Sequence, residues 1–329
     1  MTKLRAMSGS LGIQIVAAFI AVYIIWGSTY LAIRFADETM PPFVMASVRF
    51  VVAGGLLYAW LRLRGTPRPK LIHWRSALII GGLLLAAGNG LVSFAEVQVP
   101  SSVAAVIIAM VPLWMALIDW LRPGGVRPSL GVMLGLAVGF AGVALLVTQG
   151  NDAGGVLTIF GVGTLLVASI SWATGSLYAR GAPLPKSPLM GTATEMLAGG
   201  AILLVVATIT GQWGQLHIEK ISAASAIGLA FLIIFGSLVA FSAYVWLLRN
   251  VSSARVSTYA YVNPAVAVFL GWALAGEEIT VRTLIATAII IGSVAIITTA
   301  RARQHTVASD PEATRVSEAA DESSPALSR

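Results

Sequence analysis

Apolar residues run along this chain in long unbroken stretches, each near twenty residues, parted by short polar connections that gather most of the charge. A stretch of this kind suits a helix in a bilayer. Roughly 20 residues at helical rise cross a hydrocarbon core about 30 Å thick, and a helix pairs its backbone N–H and C=O groups within the segment, where lipid offers no partners. The pattern predicts helices over 13–35, 43–63, 76–97, 100–121, 129–148, 155–179, 188–210, 222–248, 252–275 and 280–300. A β-barrel would show short alternating segments instead. The expected fold class is an all-α membrane protein of ten transmembrane helices. It divides into a cytoplasmic N-terminus (1–12), a first five-helix half (13–148), a second (155–300) and a disordered cytoplasmic tail (301–329) with no large aromatic residue.

Composition sharpens this. With 57% hydrophobic and 11% charged residues and a mean hydropathy of +0.86, a soluble domain is excluded. The first stretch is too long for the apolar region of a signal peptide and is expected to stay in the mature protein. Alternate connections carry the basic residues: Lys3 and Arg5; Arg62, Arg64, Arg68, Lys70 and Arg75; Arg122 and Arg127; Arg180 and Lys186; Arg249 and Arg255; Arg301 and Arg303. These face the cytoplasm, so both termini are expected inside. The intervening loops hold Arg34, Lys220 and Arg282 with Asp37, Glu38, Glu96, Asp152, Glu219, Glu277 and Glu278. The net charge of +7 is mostly this asymmetry, which argues against nucleic acid as a partner and for the lipid bilayer of the bacterial plasma (inner) membrane.

The two halves echo each other. Val99-Pro100-Ser101-Ser102 leading to Val111-Pro112 matches Asn250-Val251-Ser252-Ser253 leading to Val262-Asn263-Pro264; Trp26-Gly27-Ser28-Thr29-Tyr30 is mirrored from Trp172 to Ser176; Pro42 aligns with Pro188. Because five is odd, the second copy enters the membrane inverted, and exchange of conformation between inverted halves gives alternating access to a central site. The Tyr23–Tyr30 run, Pro41-Pro42 followed by Arg49-Phe50, Gly88-Asn89-Gly90, Val99–Ser102 and Tyr259-Ala260-Tyr261-Val262-Asn263-Pro264, in that order, resemble the EamA-domain members of the drug/metabolite transporter superfamily. The resemblance implies two EamA units, a central cavity walled by helices one to four and six to nine, helices five and ten at the periphery, and efflux of small metabolites, amino acids or drug-like compounds.

Charges at a helix centre are costly, so those present ask for a reason. Arg49 and Glu195 each lie seven residues after a span-opening proline, in equivalent places of the two halves. Arg49 suits an anionic group and Glu195 an amine or a proton; equally, helix carbonyls or the two residues themselves neutralise each other and lock the bundle. Asn89 offers a polar amide in span three, with Ser93, Ser28 and Thr29 extending it or bonding their own helix carbonyls. Tyr259, Tyr261 and Asn263 precede Pro264, which, like Pro112, removes a helix hydrogen bond and marks a gate or a static kink. Trp26 and Trp172 lie deep enough to floor a pocket, with Tyr244 and Trp246 beside them or anchoring the interface. Glu96, at the outer end of span three, is a proton or amine ligand or else a solvated interfacial carboxylate. Gly131, Gly135 and Gly139 make a small-residue face that seats span five on its own bundle or on a second copy, so the chain is expected as a monomer or weak homodimer.

Other functions fit less well. His73, His217 and His305 all fall outside the spans and cysteine is absent, which leaves an intramembrane enzyme without a nucleophile or metal site; no catalytic residue, metal or cofactor is expected. No G-x-x-x-x-G-K-[ST] motif exists to power an ATP-driven pump. The expectation is a secondary exporter of a small-molecule substrate, proton-coupled through Glu195 or Glu96, with an uncoupled facilitator or a non-transporting structural or sensor protein as its rivals.

Overall fold

The computed structural model describes residues 2–122, 128–147, 159–251, 256 and 258–308. All regular structure among them is helical. Helix α1 covers Thr2–Asp37 and α2 Pro42–Leu63. Helices α3 (Leu71–Glu96), α4 (Ser101–Leu121), α6 (Ile159–Ala179) and α7 (Pro188–Ile209) follow the expected spans closely. Helix α5 is Leu130–Val147. Helix α8 runs from Ala223–Phe231 through Leu232–Val239 into Ala240–Asn250, α9 is Tyr259–Ala275 and α10 Val281–Ala308. Seven of these contain stretches long and apolar enough to cross a membrane; α5, α9 and α10 carry shorter apolar runs at Leu130–Leu145, Val262–Ala275 and Val281–Ile297.

The helices depart from the sequence reading in three places. Helix α1 begins at Thr2, not at 13, and α10 continues past residue 300 to Ala308, because nothing in either segment breaks a helix. The start expected at 155 and the tail beyond 308 lie outside the described residues, as do 252–255 and 257 at the head of span nine. Spans three and eight are not regular α-helices: Gly81–Gly90 of α3 and Leu232–Val239 of α8 are π-helical, a wider turn that loosens the i−4 ladder and presents carbonyls sideways.

The halves meet reciprocally. A Cβ on Gly54 of α2 would lie 2.8 Å from Met196 Cβ of α7, and one on Gly200 of α7 would lie 2.9 Å from Val51 N of α2. Gly54 and Gly200 stand at the same offset as Pro42 and Pro188, so the pair forms a two-fold contact in which each helix accepts the other at its glycine. Both helices open on proline and end on a left-handed glycine, Gly65 with φ +80° and Gly211 with φ +69°. The same exchange recurs outward, with α1 packing on α8 and α9 while α6 packs on α3 and α4. Helices α5 and α10 pair with each other: a Cβ on Gly135 would fall 2.5 Å from Ile297 Cγ1, and one on Gly139 2.8 Å from Ser293 Oγ. The glycine face of α5 is therefore covered by the chain's own α10.

Candidate functional site

Two polar regions sit along α1. At its C-terminal end, Arg34 bonds Glu277 in the turn after α9, and Asp37 lies within electrostatic reach of Arg49 of α2 and of Glu96 closing α3. Glu277 caps α4 from a distance: Oε1 accepts the Ser101 N–H at 2.9 Å and the Ser101 hydroxyl at 2.7 Å, and Oε2 accepts the Ser102 N–H at 3.1 Å. A carboxylate there answers the unpaired N–H groups and the positive end of the helix dipole. Arg34 donates to the same Oε1. Burial by itself would raise the Glu277 carboxyl, but the hydrogen bonds from Ser102 and Ser101 together hold it below its ordinary value.

Arg49 is 4% exposed and donates from Nε to Ser237 Oγ in the π-helical part of α8 at 3.0 Å. A Cβ on the neighbouring Gly236 would lie 3.4 Å from Arg49 Nη2, so the glycine leaves the guanidinium its room. Asp37 and Glu96 lie within electrostatic reach of Arg49 and of each other. Glu96 is 6% exposed, and neither its two oxygens nor the two of Asp37 have a hydrogen-bond partner. The reading of Glu96 as a solvated interfacial carboxylate is thus corrected: the ends of α1 and α4 close over it. The Arg49–Glu195 ion pair that the sequence left open is also not formed. Arg49 is drawn toward α8 and the acids of α1 and α3, and Glu195 stays half-buried on α7.

Nearer the middle of α1, aromatic rings gather. The Trp26 ring lies 5.2 Å from Phe241, 5.1 Å from Tyr244 and 5.1 Å from Tyr259, and Tyr244 and Tyr259 are 5.8 Å apart. Most of these meet edge to face, which sets positive ring edges against negative faces. Trp26 Nε1 donates to Gly236 O at 3.2 Å, using a carbonyl turned outward by the π-helix. The Tyr23 hydroxyl pairs with that of Thr258. Asn263 is buried at the crossing where α9 meets Gly27, and with its amide turned to satisfy its neighbours the nitrogen donates to Tyr259 O at 3.1 Å and Tyr23 O at 3.3 Å. The side chain of Tyr261 lies outside the described residues.

The equivalent region of the other half repeats the backbone device with different side chains. Ser171 of α6 donates to Leu83 O at 2.9 Å, and Asn89 Nδ2 to Leu84 O at 3.3 Å, both carbonyls of the π-helical part of α3. Trp172 packs on Gly88, where a Cβ would fall 2.9 Å from its ring. Thus Trp172 reaches Gly88 beside Asn89, Trp26 joins Tyr259, and Arg49 adjoins the Trp26 set at Gly236-Ser237, where Trp26 bonds the Gly236 carbonyl. Pro112 follows a turn at Ala109–Met110 that interrupts α4, whereas Pro264 lies within continuous α9. A groove of about 760 Å³ lies elsewhere. It opens between Tyr58, Arg62, Arg68 and Trp74, roughly 20 Å along α2 from Arg49.

Sequence reasoning missed Arg34, Asp37, Glu277, Ser237 and Phe241. In the sequence the first three read as loop charges. Only the match of Gly88-Asn89 with Gly236-Ser237, at corresponding places of spans three and eight, could have pointed to Ser237.

The EamA-like transporter family matches residues 13–148 and again 159–299. The chain belongs to that family. It is 43% identical over 282 residues to an uncharacterized inner membrane transporter, YedA, of Escherichia coli K12, covering 85% of this chain and 89% of the relative. It is 26% identical to a WAT1-related chloroplastic protein of Arabidopsis thaliana, over 84% of this chain and 68% of that one. The uncharacterized transporter YvbV of Bacillus subtilis is 25% identical, covering 84% and 88%. A crystal structure 18% identical in sequence shares the fold with a TM-score of 0.57, over 88% of this chain and 98% of its own. Family and helices together make this a multi-pass protein of the bacterial inner membrane, and membrane transport the general activity of its kind.

Proposed function

We propose that this protein is a secondary transporter that exports small metabolites, amino acids or drug-like compounds by alternating access. In this reading ten spans form two inverted halves, 13–148 and 155–300, with both termini in the cytoplasm and the chain acting as a monomer or weak homodimer without cofactor or catalysis. The observation that carries it is the reciprocal seating of Gly54 and Gly200, which gives the halves a two-fold contact about which they can exchange conformations. The polar side chains support it further: Arg49, Asn89, Glu195 and the Trp26–Tyr259 rings all lie between helices, where a substrate crossing the bundle would meet them. Glu195 is the proton-coupling candidate, half-buried and without an ion pair among the described residues; Glu96 is the second.

Purified protein in liposomes tests the proposal. Saturable counterflow of an amino acid or drug-like compound, lost in Glu195→Gln, supports a carrier. An imposed pH gradient that drives net flux supports coupling, and indifference to it leaves an uncoupled facilitator. A folded protein that moves no compound from a broad metabolite set would instead be a sensor or structural protein.

A further inference from the structure

With Arg34 engaged by Glu277, two carboxyls and one guanidinium remain at that end of the bundle. The carboxyls are those of Asp37 and Glu96, all four of whose oxygens are shielded from water and accept no hydrogen bond, and the guanidinium is that of Arg49. Arg49 is held from behind by Ser237 and does not bond either acid. Buried unpaired charge is expensive, and four idle acceptors add to that cost. A cation with several N–H donors would engage those oxygens and favour the ionised form of the acids. No group of three His, Asp or Glu residues that could hold a metal occurs among the described residues.

We propose that Asp37 and Glu96 together form a binding site for a primary ammonium group. Its three N–H donors match the idle carboxylate oxygens, and Arg49 beside them suits a ligand that also carries an anionic group. That this ammonium belongs to the transported substrate rests on the transporter reading above; the binding chemistry does not.

Thermal unfolding of the full-length protein in detergent, at pH 7.5 and constant ionic strength, tests the site directly. Methylammonium and n-butylammonium are expected to raise the melting temperature saturably by about 2 to 4 °C once well above their dissociation constants. Tetramethylammonium, which has no N–H, and sodium are expected to leave it unchanged. Asp37→Asn and Glu96→Gln should each abolish the response, so one suffices if the other fails to fold. The proposal is overturned if sodium or tetramethylammonium stabilises as well as methylammonium, if both variants keep the response, or if no primary amine shifts the wild type. Stabilisation only by lowering the pH also overturns it, since a proton alone would then close the pair. Ammonium binding without flux in liposomes would sink the transporter reading and leave this site standing; flux without ammonium binding would do the reverse.

Discussion

The charged end of α1 and its aromatic middle, roughly 16 Å apart along one helix, solve the same problem by opposite means. Both must fill the space where α1 meets the rest of the bundle. The aromatic region does so with rings whose few polar atoms are spent: Trp26 Nε1 on Gly236 O, the Tyr23 hydroxyl on Thr258, Asn263 on two backbone carbonyls. The charged region pairs Arg34 with Glu277, then leaves Asp37 and Glu96 idle. The difference teaches where change is stored. A satisfied cluster holds one arrangement, and an unsatisfied one can be closed by a ligand or a proton.

The sharpest way to break this contrast is Arg49→Met. It strips the acids of a counter-charge they share, and losing one partner of a buried charge set typically costs about 3–5 kcal/mol. The variant should melt far below wild type in detergent, and adding Glu96→Gln should recover much of the loss. Next in size, Trp26→Ala removes a ring in contact with three others and leaves a cavity, worth about 3 kcal/mol. Here no charge substitution elsewhere should rescue stability.

Glu277→Gln comes third, at about 1.5–3 kcal/mol for hydrogen bonds to a charged group, and its signature is in the pH. Because folding holds this carboxyl below its ordinary value, its contribution is full above the unfolded value of about 4.3 and fades as pH falls through the lowered one. The melting gap between wild type and variant should be widest near neutrality and close at acid pH. The smallest effect expected is from Tyr23→Phe, about 1 kcal/mol for the lost hydroxyl pair. A larger loss there would mean the aromatic region depends on its hydrogen bonds more than on its rings.

Arg49 and Glu195 were legible because an isolated charge in an apolar run stands out at once, and Trp26 and Trp172 because they recur in both halves. Asp37 and Glu277 were not, since a charge beside a span reads as a loop charge wherever the loop then folds. Glu96 misled for that reason: its neighbours in the chain are interfacial, and its neighbours in space are Arg49 and Asp37. The π-helical turns in α3 and α8 gave no signal either, because runs such as Gly81–Gly90 satisfy the hydropathy of an ordinary span.

Span positions, the duplication and the expectation of a membrane bundle follow from the chain alone, because lipid imposes length and apolarity on each segment independently of its neighbours. Which charges meet is another matter. Arg49 choosing Ser237 over Glu195, Glu277 capping α4, and α5 seating on α10 are settled by how helices distant in sequence pack, since a buried charge takes its energy from whatever surrounds it in three dimensions.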